Sequence, residues 1–179
     1  MPFAIELLFD SKTNAAVRKI GKRMEINGIP FALNRPGASP HISLAGFNQP
    51  RSRKLRTLLK KIALKSRTFS FRLPKAGVFR SEGVLFLRPD TSAELLKIHS
   101  ELHGVLRGAV KGSNPNYLPK NWVPHCTLGM GLSPAQIRKA QKILREMKPA
   151  IKGACCKLAL VEYYPIKEMA VFKLRASRC

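Results

Sequence analysis

The chain has 179 residues, of which 45% are hydrophobic and 24% charged, enough for a packed core and too apolar for an intrinsically disordered chain. Lysine and arginine number 33 against 10 aspartate plus glutamate, a formal charge of +23. No apolar run approaches the ~18 residues of a membrane span, and the start lacks the basic and apolar regions of a secretory signal. These features exclude a membrane-spanning protein and a secreted disulfide scaffold, and lead to the expectation of a soluble cytoplasmic domain with an anionic partner.

Phe3 to Phe9 is an apolar run broken only by Glu6 and reads as a strand. Asp10 or Ser11 caps a helix from Lys12 to about Asn27, with Ala16, Ile20 and Met24 in helical spacing and Asn27-Gly28 as its stop. A loop to Pro40 leads to a strand over His41–Phe47. Pro50 to Lys65 reads as a basic amphipathic helix with Leu55, Leu58, Leu59 and Ile62 on one face. Phe69, Phe71 and Leu73 alternate as a half-buried strand over 68–73. Val84 to Leu87 is a further strand. Thr91 or Ser92 starts a helix to about Val110, and a Gly/Asn/Pro-rich loop runs to Pro124. His125 to Met130 is a strand, and Ser133-Pro134 opens a helix to about Lys148. Strands over 155–164 and 169–174 close the chain.

The charge is uneven. Residues 1–80 hold 17 basic and 3 acidic side chains, and no acid lies between Glu25 and Glu82. That window carries Arg51, Arg53, Lys54, Arg56, Lys60, Lys61, Lys65 and Arg67. Such a field attracts nucleic acid through its phosphates, with a solvated, solubilising surface as the alternative. The four cysteines, Cys126, Cys155, Cys156 and Cys179, contain no Cys-x-x-Cys pair and read as reduced thiols.

The element order repeats. Each half runs strand, helix, loop, strand, helix, strand, and in each half the middle strand opens on proline-histidine-x-hydroxyl-leucine: Pro40-His41-Ile42-Ser43-Leu44 and Pro124-His125-Cys126-Thr127-Leu128. The pattern predicts a duplicated α+β unit, residues 1–179 forming a single domain with two intertwined lobes of roughly 1–80 and 81–179. In a strand, residues i and i+2 share a face, so His41 projects with Ser43 and His125 with Thr127, while Ile42 and Cys126 turn to the core. A pseudo-two-fold arrangement puts two imidazoles and two hydroxyls around one cleft. Imidazole exchanges protons near neutral pH, and hydroxyls hydrogen-bond phosphate oxygens.

On these two His-x-Ser/Thr-Leu segments and the duplicated frame around them, the chain resembles the 2H phosphoesterase superfamily, the 2′-5′ RNA ligase-like and RNA 2′,3′-cyclic phosphodiesterase proteins. Ser43 stands where threonine is usual and keeps the hydroxyl. The resemblance implies a bilobal fold of two pseudo-symmetric sheet-and-helix lobes around a central cleft. It also implies metal-independent opening of an RNA 2′,3′-cyclic phosphate to a 2′-phosphate, with no cofactor, and reversible 2′-5′ RNA ligation. His125 is then the base and His41 the acid, with Ser43 and Thr127 on the phosphate oxygens. Phosphodiesterase action on 2′-5′ oligoadenylates or an ADP-ribose cyclic phosphate is the alternative substrate reading. A non-catalytic RNA-binding module is the alternative of another class.

Four further residues are candidate substrate contacts. Phe47 shares the strand parity of His41 and Ser43 and is a candidate for stacking on a base, with core packing as the alternative. Arg35 and Lys120, in the loops entering the two motifs, are candidate phosphate contacts, with a solvated charge as the alternative. Trp122 is either a stacking platform or a structural anchor. His99 and His103 have metal-ligand spacing on a helix, yet His-Ser-Glu-Leu-His is not a zincin motif and no third ligand suggests itself. Gly21-Lys22-Arg23 lacks the glycine loop of a P-loop. The expected partner is RNA or a nucleotide with a cyclic phosphate or 2′-5′ linkage, met by a monomer.

Overall fold

The computed structural model describes residues 2–51, 54–148 and 150–176. Arg53 of the basic window and Cys179 lie outside the described residues. Among the described residues, ten strands and four α-helices follow one another as β1 (Phe3–Phe9), α1 (Ser11–Ile26), β2 (His41–Phe47), β3 (Gln49–Pro50), α2 (Leu55–Lys65), β4 (Phe69–Leu73), β5 (Lys75–Phe79), β6 (Val84–Arg88), α3 (Ala93–Leu106), β7 (Val110–Lys111), β8 (Cys126–Gly129), α4 (Pro134–Met147), β9 (Ile151–Glu162) and β10 (Lys167–Lys173). A 3₁₀ turn spans Pro115–Tyr117. Among the described residues no helix is long and apolar enough to cross a membrane.

Two antiparallel three-strand sets match each other. β9-β1-β2 has the first strand of the first half at its centre, and β5-β6-β8 has the first strand of the second half at its centre. The closing strand of each half therefore pairs with the opening strand of the other. Between the sets, β4 pairs antiparallel with the start of β9, Phe69 opposite Cys155 and Leu73 opposite Ile151. β10 extends the first set beyond β9. The inner faces of both sheets and the apolar faces of all four helices merge into one core, with Ile5, Leu7, Val17, Leu59, Leu85, Leu102 and Leu158 fully buried.

Helix starts follow their capping chemistry. Asp10 accepts the Thr13 amide at 2.8 Å and the Thr13 hydroxyl at 2.7 Å, and the same carboxylate accepts the Ala154 amide at 2.7 Å, which fixes α1 against β9. Gly153 makes this approach possible, since a Cβ there would lie 2.0 Å from Thr13 Oγ1. Ser92 caps α3, and Ser133 with Gln136 forms a reciprocal capping box on α4 behind Pro134. α2 begins at Leu55, five residues later than the pattern suggests, because Gln49 and Pro50 pair with Val110 and Lys111 as a small ribbon. That ribbon also stops α3 at Leu106. β5, which the sequence reading left out, is held by its pairing to β6.

Candidate active site

His41 opens β2 and His125 immediately precedes β8, so the two repeated motifs deliver equivalent histidines from equivalent strands. Both line one cleft of about 830 Å³, together with Ser43 and Thr127. The structure thus brings together the four residues of the two motifs. Each imidazole donates Nδ1–H to the carbonyl two residues upstream, His41 to Ser39 and His125 to Val123, both at 2.7 Å. That bond fixes ring orientation and, in the neutral ring, the tautomer, leaving Nε2 as the nitrogen with a free lone pair.

The surroundings of the two rings differ. His125 stands edge-on to Phe79 at 5.1 Å and tilted over Phe86 at 5.3 Å between centroids. Burial there, and secondarily the facing His41, lower its pKa below the ordinary imidazole value, against an opposing bond to Val123. His41 instead has a carboxylate behind it. Glu6 Oε2 lies 3.5 Å from His41 Nδ1, an ion pair whenever the ring is protonated. Glu6 is only 3% exposed, and its other oxygen accepts a short hydrogen bond from the Tyr163 hydroxyl. Burial, then the Glu6 charge, push the Tyr163 phenol far above its usual range, so it stays a donor. The signal for Glu6 is visible in the sequence as the one charge inside an apolar strand; Tyr163 sits 157 residues away and gives none.

Behind β2 lies a second polar cluster. The Trp122 ring stacks on His99 at 3.7 Å and 5°, and its Nε1–H donates to the Ser43 carbonyl at 3.0 Å. His99 and His103 bond through Nε2 to the carbonyls of Tyr117 and Leu44 at 2.9 and 3.0 Å. Both rings are thereby spent on holding backbone, and His99 is pushed down to about 4, by burial first and by His103 second. The Tyr117 and Ser43 side chains are also hydrogen-bonded. Trp122 and His103 thus hold the Ser43–Leu44 backbone, while the Tyr117 and Ser43 side chains themselves line the cleft.

The candidate contacts fare unequally. Arg35 lines the cleft, and so does Arg80, which the sequence reading did not single out. Lys120 is exposed and outside the cleft walls, and Trp122 faces the His99 cluster instead of the cleft. Phe47 is corrected outright: it is 0% exposed and stacks on Phe3 at 5.8 Å in the core. The cause is a β-bulge. Ser43 pairs with Glu6 but Ala45 with Ile5, so Leu44 is an extra residue, and parity along β2 reverses beyond it. Cys126 is fully buried with its thiol pushed up to about 12, on the face opposite His125, so no nucleophilic thiol faces the cleft from β8.

Comparison with known proteins agrees with this architecture. The family model described as the 2′-5′ RNA ligase superfamily matches residues 22–165. TT0787 of Thermus thermophilus superposes with a TM-score of 0.68 at 20% identity, over 99% of this chain and 100% of that one. LigT of E. coli complexed with 3′-AMP superposes at 0.62 with 14% identity, over 97% and 96% of the two chains. At these identities the likeness is one of fold. No curated protein matches the chain by sequence.

Proposed function

The chain belongs to the 2′-5′ RNA ligase superfamily, the 2H phosphoesterases, and on that premise we propose that it opens RNA 2′,3′-cyclic phosphate ends to 2′-phosphates by two-histidine acid–base catalysis, without metal or cofactor. The observation that carries this reading is the pair of equivalent imidazoles in one cleft, each with Nδ1 bound to the carbonyl two residues upstream and Nε2 left for proton transfer.

The unequal surroundings support distinct roles. His125, half-buried against Phe79 and Phe86 and held below the usual imidazole pKa, favours its neutral form and suits a general base. His41, backed by the Glu6 carboxylate, suits the group that enters as imidazolium and leaves neutral. In the forward step His125 Nε2 takes a proton from water as the water oxygen bonds to phosphorus. The bond from phosphorus to the 3′-oxygen breaks, and His41 Nε2 delivers its proton to that oxygen. The product carries a 2′-phosphate and a free 3′-hydroxyl. With a 5′-hydroxyl in place of water, the same transfers yield a 2′-5′ linkage. Ser43 and Thr127 donate to the non-bridging oxygens as charge builds on them, and Arg35 and Arg80 supply cationic wall.

The test is an incubation with chelator of purified protein and an oligoribonucleotide ending in a 2′,3′-cyclic phosphate, with the product mapped. A 2′-phosphate is expected. A 3′-phosphate, or no turnover until a metal is added, would overturn the reading.

A further inference from the structure

A cleft that closes over one cyclic phosphate does not account for a charge of +23. The pseudo-symmetry offers an internal comparison. α1 follows β1 as α3 follows β6, and α4 follows β8 as α2 follows β2, so the adjacent helices α1 and α4 correspond to the adjacent helices α3 and α2. α1 and α4 carry nine lysines and arginines against Glu25 and Glu146. α2 and α3 carry five against Glu94 and Glu101. The difference lies between α1, with five against Glu25, and its counterpart α3, with one against Glu94 and Glu101, while α4 and α2 carry four each; the cationic surface of α1 is therefore not required by the fold.

The placement of that surface is informative. Lys19, Lys22, Arg23, Arg138, Lys142 and Arg145 are all exposed, and none forms an ion pair among the described residues. The two helices are bridged where Lys139 Nζ of α4 donates to the Asn27 carbonyl at the end of α1 at 2.7 Å, and the loop after α1 is tied to β8 by the Ala32 amide donating to the Leu128 carbonyl at 2.8 Å. From there the chain enters the cleft wall. The loop after α1 supplies Arg35, and Met130, just before α4, lies on the same wall. Arg18 fastens the arrangement, donating to the carbonyls of Ala38 and Leu33, two further wall residues. The apolar faces of both helices, Val17, Ile20 and Met24 on one and Ile137, Ile143 and Leu144 on the other, are buried in the core, so neither presents the inserted apolar face of a membrane-surface helix.

We propose that α1 and α4 form a backbone-binding track for single-stranded RNA, along which the strand upstream of the reacting 3′ end leaves the cleft. This rests on the substrate reading above. At 1.5 Å per residue, α1 provides about 24 Å of track, room for several nucleotides held through phosphates without base readout.

The test separates the track from the chemistry. Lys19→Gln, Lys22→Gln, Arg138→Gln and Lys142→Gln are combined in one variant, and Lys60→Gln, Lys61→Gln, Lys65→Gln and Lys97→Gln in a control on the equivalent helices. Affinity for a non-reactive oligoribonucleotide with a 3′-hydroxyl is read by fluorescence anisotropy between about 50 and 200 mM salt. Turnover of a mononucleoside 2′,3′-cyclic phosphate is read alongside. The track variant is expected to bind the oligonucleotide about tenfold or more weakly and to lose about 3 from the log–log salt slope, at 0.7 per single-strand phosphate contact. It keeps wild-type mononucleotide turnover, and the control changes much less. Equal loss in both variants, meaning a diffuse field, would overturn the proposal, as would no loss in either. So would binding to anionic lipid vesicles that is stronger than to RNA and lost in the track variant. If wild type turns over no cyclic phosphate, the substrate reading fails while the affinity arm still decides the track.

Discussion

His99 makes a quantitative prediction about how the site is held. The ring is 3% exposed, stacked on Trp122, and bonded through Nε2 to Tyr117. Its pKa is lowered from 6.5 to about 4 by burial and then by His103. A group with a folded pKa below its unfolded value binds more protons when unfolded between the two, so stability falls as pH drops through that window. At pH 7.5 the ring is neutral in both states and costs nothing. At pH 5 the unfolded ring is almost fully protonated and the folded ring is not, a penalty of about 2 kcal/mol, rising to about 3 kcal/mol below pH 4. With a urea slope of about 2 kcal/mol per molar for a chain of this size, the wild-type midpoint falls by about 1 M between pH 7.5 and 5 from this ring alone. His99→Gln retains an N–H donor for Tyr117 and cannot titrate in this range. It shifts stability by a pH-independent offset and removes this part of the pH dependence, while other titrating groups contribute equally to both proteins. Urea unfolding of both at the two pH values isolates the term. Identical pH dependence in wild type and variant would refute the assignment of a buried neutral ring behind β2.

Four further perturbations follow from the site and its supports. Glu6→Gln removes the carboxylate 3.5 Å from His41 and should lower kcat on a cyclic phosphate by roughly tenfold with little change in KM, a loss of about 1–2 kcal/mol of transition-state stabilisation after solvent screening; Tyr163→Phe, which only frees the carboxylate, should cost less. Phe79→Ala admits water beside His125, relieving the burial that lowers its pKa, so the acidic limb of the kcat/KM–pH profile should move to higher pH; a limb that stays in place contradicts His125 as the base. Asp10→Ala removes the α1 cap and the bond to Ala154, and should cost about 2 kcal/mol in denaturant unfolding at neutral pH without altering the kcat/KM–pH profile.

Much of this architecture is legible in the chain because local rules decide it. Ser133-Pro134 with Gln136 specifies a helix start, alternation at Phe69, Phe71 and Leu73 specifies a strand, and the repeated proline-histidine segments place two equivalent side chains. What stays illegible depends on partners distant in sequence. Lys75–Phe79 follows Pro74, contains Gly77, and is a strand because β6 lies alongside. Pro50 sits in a ribbon because Val110 pairs with it. The parity of Phe47 fails because a register shift against β1, invisible within β2, inserts Leu44. Glu6 reads as an anomaly in an apolar strand, but its meaning requires Tyr163 and His41 to be placed around it.

The central claim is that His41 and His125 perform the chemistry and do not merely bind RNA. The most direct measurement compares wild type, His41→Ala and His125→Ala on one cyclic-phosphate oligonucleotide in the presence of chelator, each protein also titrated with the non-reactive oligonucleotide. The account predicts a fall in turnover of about 10²–10⁴-fold for each single variant, with RNA affinity within about threefold of wild type because the phosphate contacts remain. Turnover that survives either substitution would contradict the account. So would a wild type that binds RNA without turnover and loses that affinity with the histidines, an outcome that would leave a binding module in place of an enzyme.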